Sequence, residues 1–437
     1  MSEQHVDVLI VGAGVSGIGM ACHLKRGCPG KSFTIIERRE SLGGTWDLFR
    51  YKEATGETVT FTASFLVGCT GYYNYDAGYK PDFPGEADFG GQIVHPQHWP
   101  ENLNYTGKRV VVIGSGATAI TLVPTMAEET AHITMLQRSP TYLMPLPSRD
   151  AVAQGFQKVL PANVAYRLTR ARNVSIARLL FNRSRKNPKA MRRLFLAMVR
   201  RQLNGKVDMR HFSPSYNPWD QRLCVVKDGD LFKSIKAGKA SVETDHIERF
   251  TQNGILLKSG KELEADIIIP ATGLDIQMLG GMGLVVDGQS VALRDKVIYK
   301  NVMVEGVPNA GMIFGYTNIS WTLKADIAAE YLCRLFNHMD RQGQKVCVPR
   351  DTGDSRAEDT MMGGLDSGYI RRADDKLPRQ GTHGPWKVSQ NYLEDVKTLR
   401  FDPIEDGYLE FDGHLPVQET RPKHGFMRPL RSALFGS

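Results

Sequence analysis

Two strand–glycine–helix units constrain this chain more than any other feature. Val8-Leu9-Ile10-Val11 is a short apolar strand that runs straight into Gly12-Ala13-Gly14-Val15-Ser16-Gly17, and a helical pattern follows through Leu24. A second apolar strand, Phe33–Ile36, ends in Glu37, about twenty residues after the last glycine, where a dinucleotide-binding βαβ unit needs an acid. Gly12 permits the tight turn, Gly14 lets the backbone approach a pyrophosphate, and Gly17 lets helix and strand pack closely. With Ser16 in the same turn, phosphates would meet unpaired N–H groups at the positive end of a helix. A carboxylate at Glu37 suits an unphosphorylated ribose, as in FAD or NAD.

The second unit repeats the design with a different ending. Strand Arg109-Val110-Val111-Val112-Ile113 leads into Gly114-Ser115-Gly116-Ala117-Thr118-Ala119, and the next strand, His132–Leu136, ends in Gln137-Arg138-Ser139. Arg138 stands where the first unit has its acid. A carboxylate would repel a 2′-phosphate, whereas a guanidinium grips it bidentately, with Ser139 beside it. The second site is therefore expected to take NADP(H), and the first falls to FAD by elimination. Two sites of unlike ribose chemistry point to hydride delivery from NADPH to a flavin.

Composition narrows the class. A chain of 437 residues with 41% hydrophobic content and 43 glycines suits a globular α/β protein of two or three domains. No apolar run is long enough to cross a bilayer, and Met1–Val6 is too short and polar for a signal peptide. The six cysteines are scattered without a CxxC pair or zinc spacing, which suits a reducing cytoplasm and implies no metal site. Net charge is +8 and uneven: residues 151–206 hold fourteen Lys or Arg and no Asp or Glu. Leu179, Leu180, Phe181, Leu194, Phe195 and Met198 interleave with these cations at helical spacing. The segment is expected to be a solvated helical insert whose apolar stripe packs on the core. A basic face resting on an anionic membrane is the alternative, and no motif supports nucleic-acid binding.

Between the two units lies Phe89-Gly90-Gly91-Gln92-Ile93-Val94-His95-Pro96-Gln97-His98-Trp99-Pro100. This segment resembles the FxGxxxHxxxWP fingerprint of the Baeyer–Villiger monooxygenases, where it links domains. Phe65–Gly71 and Ile267–Gly273 resemble that family's two crossings between FAD and NADP domains. Gly43-Gly44-Thr45-Trp46-Asp47 resembles its flavin-side loop, so Gly44, Thr45, Trp46, Asp47 and Leu48 join the candidate FAD residues. Gly315–Thr322 opens a helix with good capping residues, a terminus the family sets against the polar edge of the flavin. Tyr72–Asp76, Gln137–Tyr142 and Tyr216–Arg222 bring the resemblance closest to the ethionamide-activating type.

The resemblance implies a two-dinucleotide-binding-domain α/β flavoprotein with Rossmann-like FAD and NADP domains and a helical insert. Its expected division is 1–105 for the first FAD segment, 106–270 for the NADP domain, and 271–437 for the closing FAD segment and tail. It implies oxygen insertion beside a ketone carbonyl, or onto the sulfur of a sulfide or thioamide, through a C4a-peroxyflavin. Arg222 matches the arginine that stands over the flavin, where a permanent cation would stabilise the peroxide anion. Gln221 departs from a lysine seen in some relatives, which leaves Arg138 to carry more of the 2′-phosphate recognition.

The pattern breaks after Tyr51. Relatives continue through a proline–glycine turn, an acidic motif, helices and several strands before the equivalent of Phe65. Here Asp47-Leu48-Phe49-Arg50-Tyr51 passes to Thr58-Val59-Thr60-Phe61 within a few polar residues, and nothing around Glu53 or Glu57 matches the lost acidic motif. The third strand of the first unit should go with that segment, leaving a gap, a new neighbour or an exposed edge. Two readings stay open: an oxygenating enzyme, or an NADP(H)-binding remnant that holds FAD poorly. A flavin disulfide reductase would need adjacent cysteines that this chain lacks.

Overall fold

A computed structural model describes residues 4–39, 42–44, 60–205, 207–221 and 223–414. The chain begins with strand β1 (Gln4–Val11), helix α1 (Val15–Gly27), strand β2 (Phe33–Ile36) and strand β3 (Phe61–Gly68). Val6, Val8, Leu9 and Ile10 are all buried, the two-sided burial expected of a central parallel strand. Both β2 and β3 pair with β1 in parallel.

Strand β4 (Gln92–Ile93) then opens the second unit, followed by β5 (Arg109–Ile113), α2 (Ala117–Met126), β6 (His132–Gln137) and β7 (Leu143–Leu146). Helices α3 (Ala151–Val159), α4 (Ala162–Lys186) and α5 (Pro188–Leu203) form the insert. The chain returns through β8 (Cys224–Lys227), α6 (Asp230–Lys236) and β9 (Ala240–Thr244), then an antiparallel sheet of β10 (Ile247–Thr251), β11 (Gly254–Leu257) and β12 (Glu262–Glu264). Strand β13 (Ile267–Pro270) completes a five-stranded sheet of order β4-β13-β5-β6-β9.

A hairpin of β14 (Val285–Val286) and β15 (Gln289–Ser290) follows. Then β16 (Ile298–Tyr299), β17 (Met303–Val304) and β18 (Ala310–Met312) extend the first sheet to β16-β17-β18-β3-β1-β2. Helix α7 (Trp321–Gln342) buries Ile327, Ala328, Tyr331, Leu332, Leu335 and Phe336 against that sheet and α1. A second core joins α2, α6 and the inner faces of β5, β6 and β13. The molecule is thus a doubled Rossmann-like α/β fold, as expected.

Two details depart from or sharpen the expectations. Strand β2 ends its sheet among the described residues, and its four residues are all half-buried, so the sheet keeps an edge there. In the insert, Phe195, Val199 and Leu203 pack at i, i+4 and i+8, but Leu179 and Leu194 stand 58% and 47% exposed. The expected single apolar stripe is therefore split. Arg170 explains part of this: its guanidinium reaches Asp326 on α7 at 3.2 Å, and Val174 enters the first core, turning the helix toward that contact.

The chain crosses between the sheets twice, and the crossings pair with each other. The Tyr79 N–H donates to Gly273 O (3.1 Å), Asn74 N–H to Asp275 O (2.9 Å) and Gln277 N–H to Tyr72 O (3.1 Å). The FxGxxxHxxxWP segment braces this hinge. Trp99 packs on the second core, while Gln97 Nε2 donates to Asn74 O at 3.0 Å.

Arg109 and Asp266 clamp β5 to the start of β13, with Asp266 accepting from the Arg109 N–H (2.7 Å) and Nη2 (2.8 Å). The Arg109 side chain is the main cause that holds the Asp266 carboxyl down at about 2, from an ordinary 3.8. A depressed carboxyl contributes stability above its unfolded pKa and loses it as pH falls through its folded one. The urea midpoint of the protein should therefore drop between pH 4 and pH 2, and Asp266→Asn should flatten that part of the profile. An unchanged slope in the variant would show that the clamp does not contribute.

Candidate functional site

The first glycine turn is built by close approach. Gly12 has φ +105°, and its N–H donates to Ile36 O at 2.8 Å. A Cβ on Gly12 would lie 2.6 Å from Cys69 O, and one on Gly17 would lie 1.9 Å from Gly12 O. Only hydrogen fits at either point, so α1 begins directly over the end of β1 with Gly14 at its N-cap. Gly44, at φ +57°, passes so near that its Cβ would sit 2.9 Å from Gly14 Cα.

Glu37 closes the turn from the end of β2. Its Oε2 accepts from the Ala13 N–H at 2.7 Å and its Oε1 from the Arg39 N–H at 3.2 Å. Each carboxylate oxygen retains capacity for a further donor, which suits ribose hydroxyls. Ser16 is buried and accepts a 3.0 Å hydrogen bond from the Trp321 indole N–H, while Trp321 stacks on Tyr72 with ring centroids 5.2 Å apart. Helices α1 and α7 thus start at one cavity of about 970 Å³, whose walls include Gly12, Gly14, Glu37, Gly71, Tyr75 and Thr322. Two helix N-termini on one cavity favour an anionic ligand. This cradle, shaped by glycines that no Cβ could replace, fits the pyrophosphate and ribose of FAD.

Capping of α7 differs from the expectation. Ser320 occupies its N-cap, but the hydroxyl meets Thr322 Oγ1 at 3.0 Å instead of a backbone N–H. The Leu323 N–H turns back to Ser320 O at 3.3 Å, while Trp321 and Thr322 of the first turn line the cavity. Several lining residues escaped the sequence reading. Arg39 donates to Gly44 O at 3.0 Å and holds that loop over Gly14. The turn at Leu279 (φ +53°), Gly280 and Gly281 closes the far wall, and the Gly280-Gly281 pair was the signal for it.

The second turn repeats the geometry. Gly114 has φ +139°, donates to Leu136 O at 2.7 Å, and would place a Cβ 2.4 Å from Ala271 O. Gly116 caps α2, Ala117 and Thr118 are exposed on its first turn, and Ala119 is fully buried where the first unit has its third glycine. Ser115 Oγ lies 3.0 Å from Thr141 Oγ1 and donates to Ser139 O at 3.2 Å, tying the turn to the strand end. Arg138 and Ser139 are exposed there. Thr45, Trp46, Asp47, Leu48 and Arg222 lie outside the described residues.

The FMO-like family, described as "Flavin-binding monooxygenase-like", matches residues 38–312. A protein of Acinetobacter baylyi named "Probable FAD-binding monooxygenase AlmA" is 49% identical over 96% of this chain and 99% of its own. The chain belongs to the flavin-binding monooxygenase-like family. EthA of Mycolicibacterium smegmatis, named an FAD-containing monooxygenase, is 44% identical to it over 94% of this chain and 98% of its own.

In fold, this flavin-binding monooxygenase is similar to an oxidized steroid monooxygenase bound to NADP, with TM-score 0.68 at 17% identity over 93% of this chain and 99% of that one. It is equally similar to OTEMO in complex with FAD and NADP, with TM-score 0.67 at 16% identity over 94% and 100%. No helix among the described residues is long and apolar enough to cross a membrane.

Gly17→Ala tests the first cradle. Its methyl would have to displace α1 from Gly12 O, and overpacking of this kind costs roughly 1–3 kcal/mol. The purified variant should show a lowered thermal midpoint and reduced bound FAD by visible absorbance. Gly114→Ala should keep its FAD and lose affinity for NADP(H). Equal FAD loss in both variants would count against separate cradles.

Proposed function

We propose that this chain is an FAD- and NADPH-dependent monooxygenase that inserts one oxygen atom from O2 beside a ketone carbonyl, or onto the sulfur of a sulfide or thioamide. The observation that carries this reading is the pair of glycine cradles on one braced hinge, one ending in Glu37 and the other in Arg138. Residues 1–105 and 271–437 form the flavin part in this reading, and residues 106–270 the NADP part.

Bound FAD would supply the redox chemistry, accepting hydride and activating O2. The chain's own residues bind and orient. Gly14, Ser16 and Gly17 present helix N–H groups to a pyrophosphate, with Gly44 beside them, and Glu37 accepts from ribose hydroxyls; Thr45, Trp46, Asp47 and Leu48 also serve FAD in this reading. Residues Gly114–Ala119 do the same for the second nucleotide, and Arg138 with Ser139 takes the 2′-phosphate. Arg222 provides a permanent cation that favours negative charge on the transferred oxygen.

Two further points belong to this reading. The chain lacks a segment after Tyr51 that its relatives carry. The open edge at β2 supports this, as does an alignment with AlmA that runs over 494 positions against 437 residues. The insert makes peripheral contact with an anionic membrane surface. In support, Val159, Tyr166 and Leu179 are 77%, 61% and 58% exposed in a segment with fourteen cations and no acid, and α3 buries none of its residues.

The purified protein should be yellow, or become so with added FAD, and its NADPH oxidation in air should rise with a simple ketone. A colourless, inert protein after FAD addition would instead establish an NADP(H)-binding remnant. Arg222→Ala should preserve flavin reduction by NADPH and abolish ester formation by gas chromatography; unchanged ester yield would remove Arg222 from the chemistry.

A further inference from the structure

The cations around the second cradle are not all on its own strand. Arg372 lies far along the chain, beyond the return to the first sheet, yet it comes back to the hinge. Its guanidinium sits 3.5 Å above the centre of the Tyr79 ring, and Tyr79 is the residue whose N–H donates to Gly273 O. A Cβ on Gly273 would lie 3.6 Å from Arg372 Nη2. The Gly273 segment is the same one whose Ala271 carbonyl touches Gly114, so Arg372 borders the second glycine turn through a single loop.

The segment that carries Arg372 is also pinned on the other side of the cleft. The Asp366 N–H donates to Asp220 O at 2.9 Å, on the loop that leads to Gln221 and Arg222. The segment from Asp366 to Arg372 therefore touches the Asp220 loop at its start and the hinge at its end. Burial lowers the pKa of Arg372, Tyr79 and Asp275 work against that shift, and the positive charge of Arg138 adds to it. Neither guanidinium has a hydrogen bond or ion pair among the described residues, whereas neighbouring Arg371, Lys376 and Arg379 each hold a carboxylate. Two guanidinium groups that feel each other's charge repel unless an anion arrives, and the one acid whose charge acts on Arg372, Asp275, is already held by Lys376 at 3.1 Å. The aromatic platform meanwhile holds one of them in place, so little ordering is left for the ligand to bring about.

The geometry points to Arg372 as the second cation of the 2′-phosphate site, acting with Arg138 and supplying the charge that Gln221 does not. This rests on the second cradle being the NADP(H) site. A phosphate dianion held by two guanidinium groups is discriminated more strongly from a 2′-hydroxyl than one held by Arg138 alone.

Titration of the intact, FAD-supplemented protein with NADP+ and with NAD+ tests it. The parent protein should prefer NADP+. Arg372→Ala should weaken NADP+ by about tenfold, the usual scale for one charge-assisted contact, and leave NAD+ unchanged. Arg372→Lys should recover part of the loss, and the Arg138→Ala/Arg372→Ala double variant should lose the preference altogether. A parent that prefers NADP+, with an Arg372→Ala variant that retains the full preference, overturns the proposal alone. Equal weakening of both dinucleotides in Arg372→Ala overturns it too, because the residue would then serve the hinge and not the phosphate. A parent that binds NADP+ and NAD+ alike removes the underlying NADP(H) assignment instead.

Discussion

The contact between Gly17 and the carbonyl of Gly12 sets the geometry on which the first site depends. With no Cβ at either position, α1 starts against the end of β1, and its first residues, Val15 and Ser16, line the cavity. The same condition recurs at Gly114, with Ala271 as the touching carbonyl. Both cradles are therefore made by backbone, and side chains only tune what each will hold. Glu37 and Arg138 stand at equivalent strand ends with opposite charge, and in the proposed reading they do that tuning.

The hinge ties together the two segments that cross between the sheets. Its crossings bond to each other through Tyr72, Asn74 and Tyr79 on one side and Gly273, Asp275 and Gln277 on the other. Those bonds fix how far apart the sheets stand. The Trp321–Ser16 hydrogen bond brings α7 to the same cavity, so a third helix-sized dipole faces the place where charge must be managed. Proximity of this kind, and not any isolated nucleophile, is what a hydride-relay enzyme asks of its protein.

Much of this was legible in the residues. Apolar four- and five-residue runs ending in spaced glycines specify strand, turn and helix through local sterics alone, and β1, β5, α1 and α2 follow that rule. The Phe89–Pro100 segment was legible as a linker, and Gln97 and Trp99 do join the hinge to the second core. The insert was legible as helical, but not in how its stripe divides. Leu179 and Leu194 have the spacing of core residues, yet the Arg170–Asp326 pair and Val174 turn α4 toward α7, and tertiary contact overrides periodicity. Ser320 looked like a helix cap, but its hydroxyl found Thr322 first.

By itself, the sequence determined the two cradles and the sign of the charge at the end of each, because these depend on steric room within a few residues and on single side chains at strand ends. Only the tertiary structure decided which distant residues share those cradles. Trp321 reaches Ser16, Arg39 holds Gly44, and Arg372 returns to stand over Tyr79. No local pattern encodes such meetings, since they arise from how far apart two sheets are held and where a later segment is pinned.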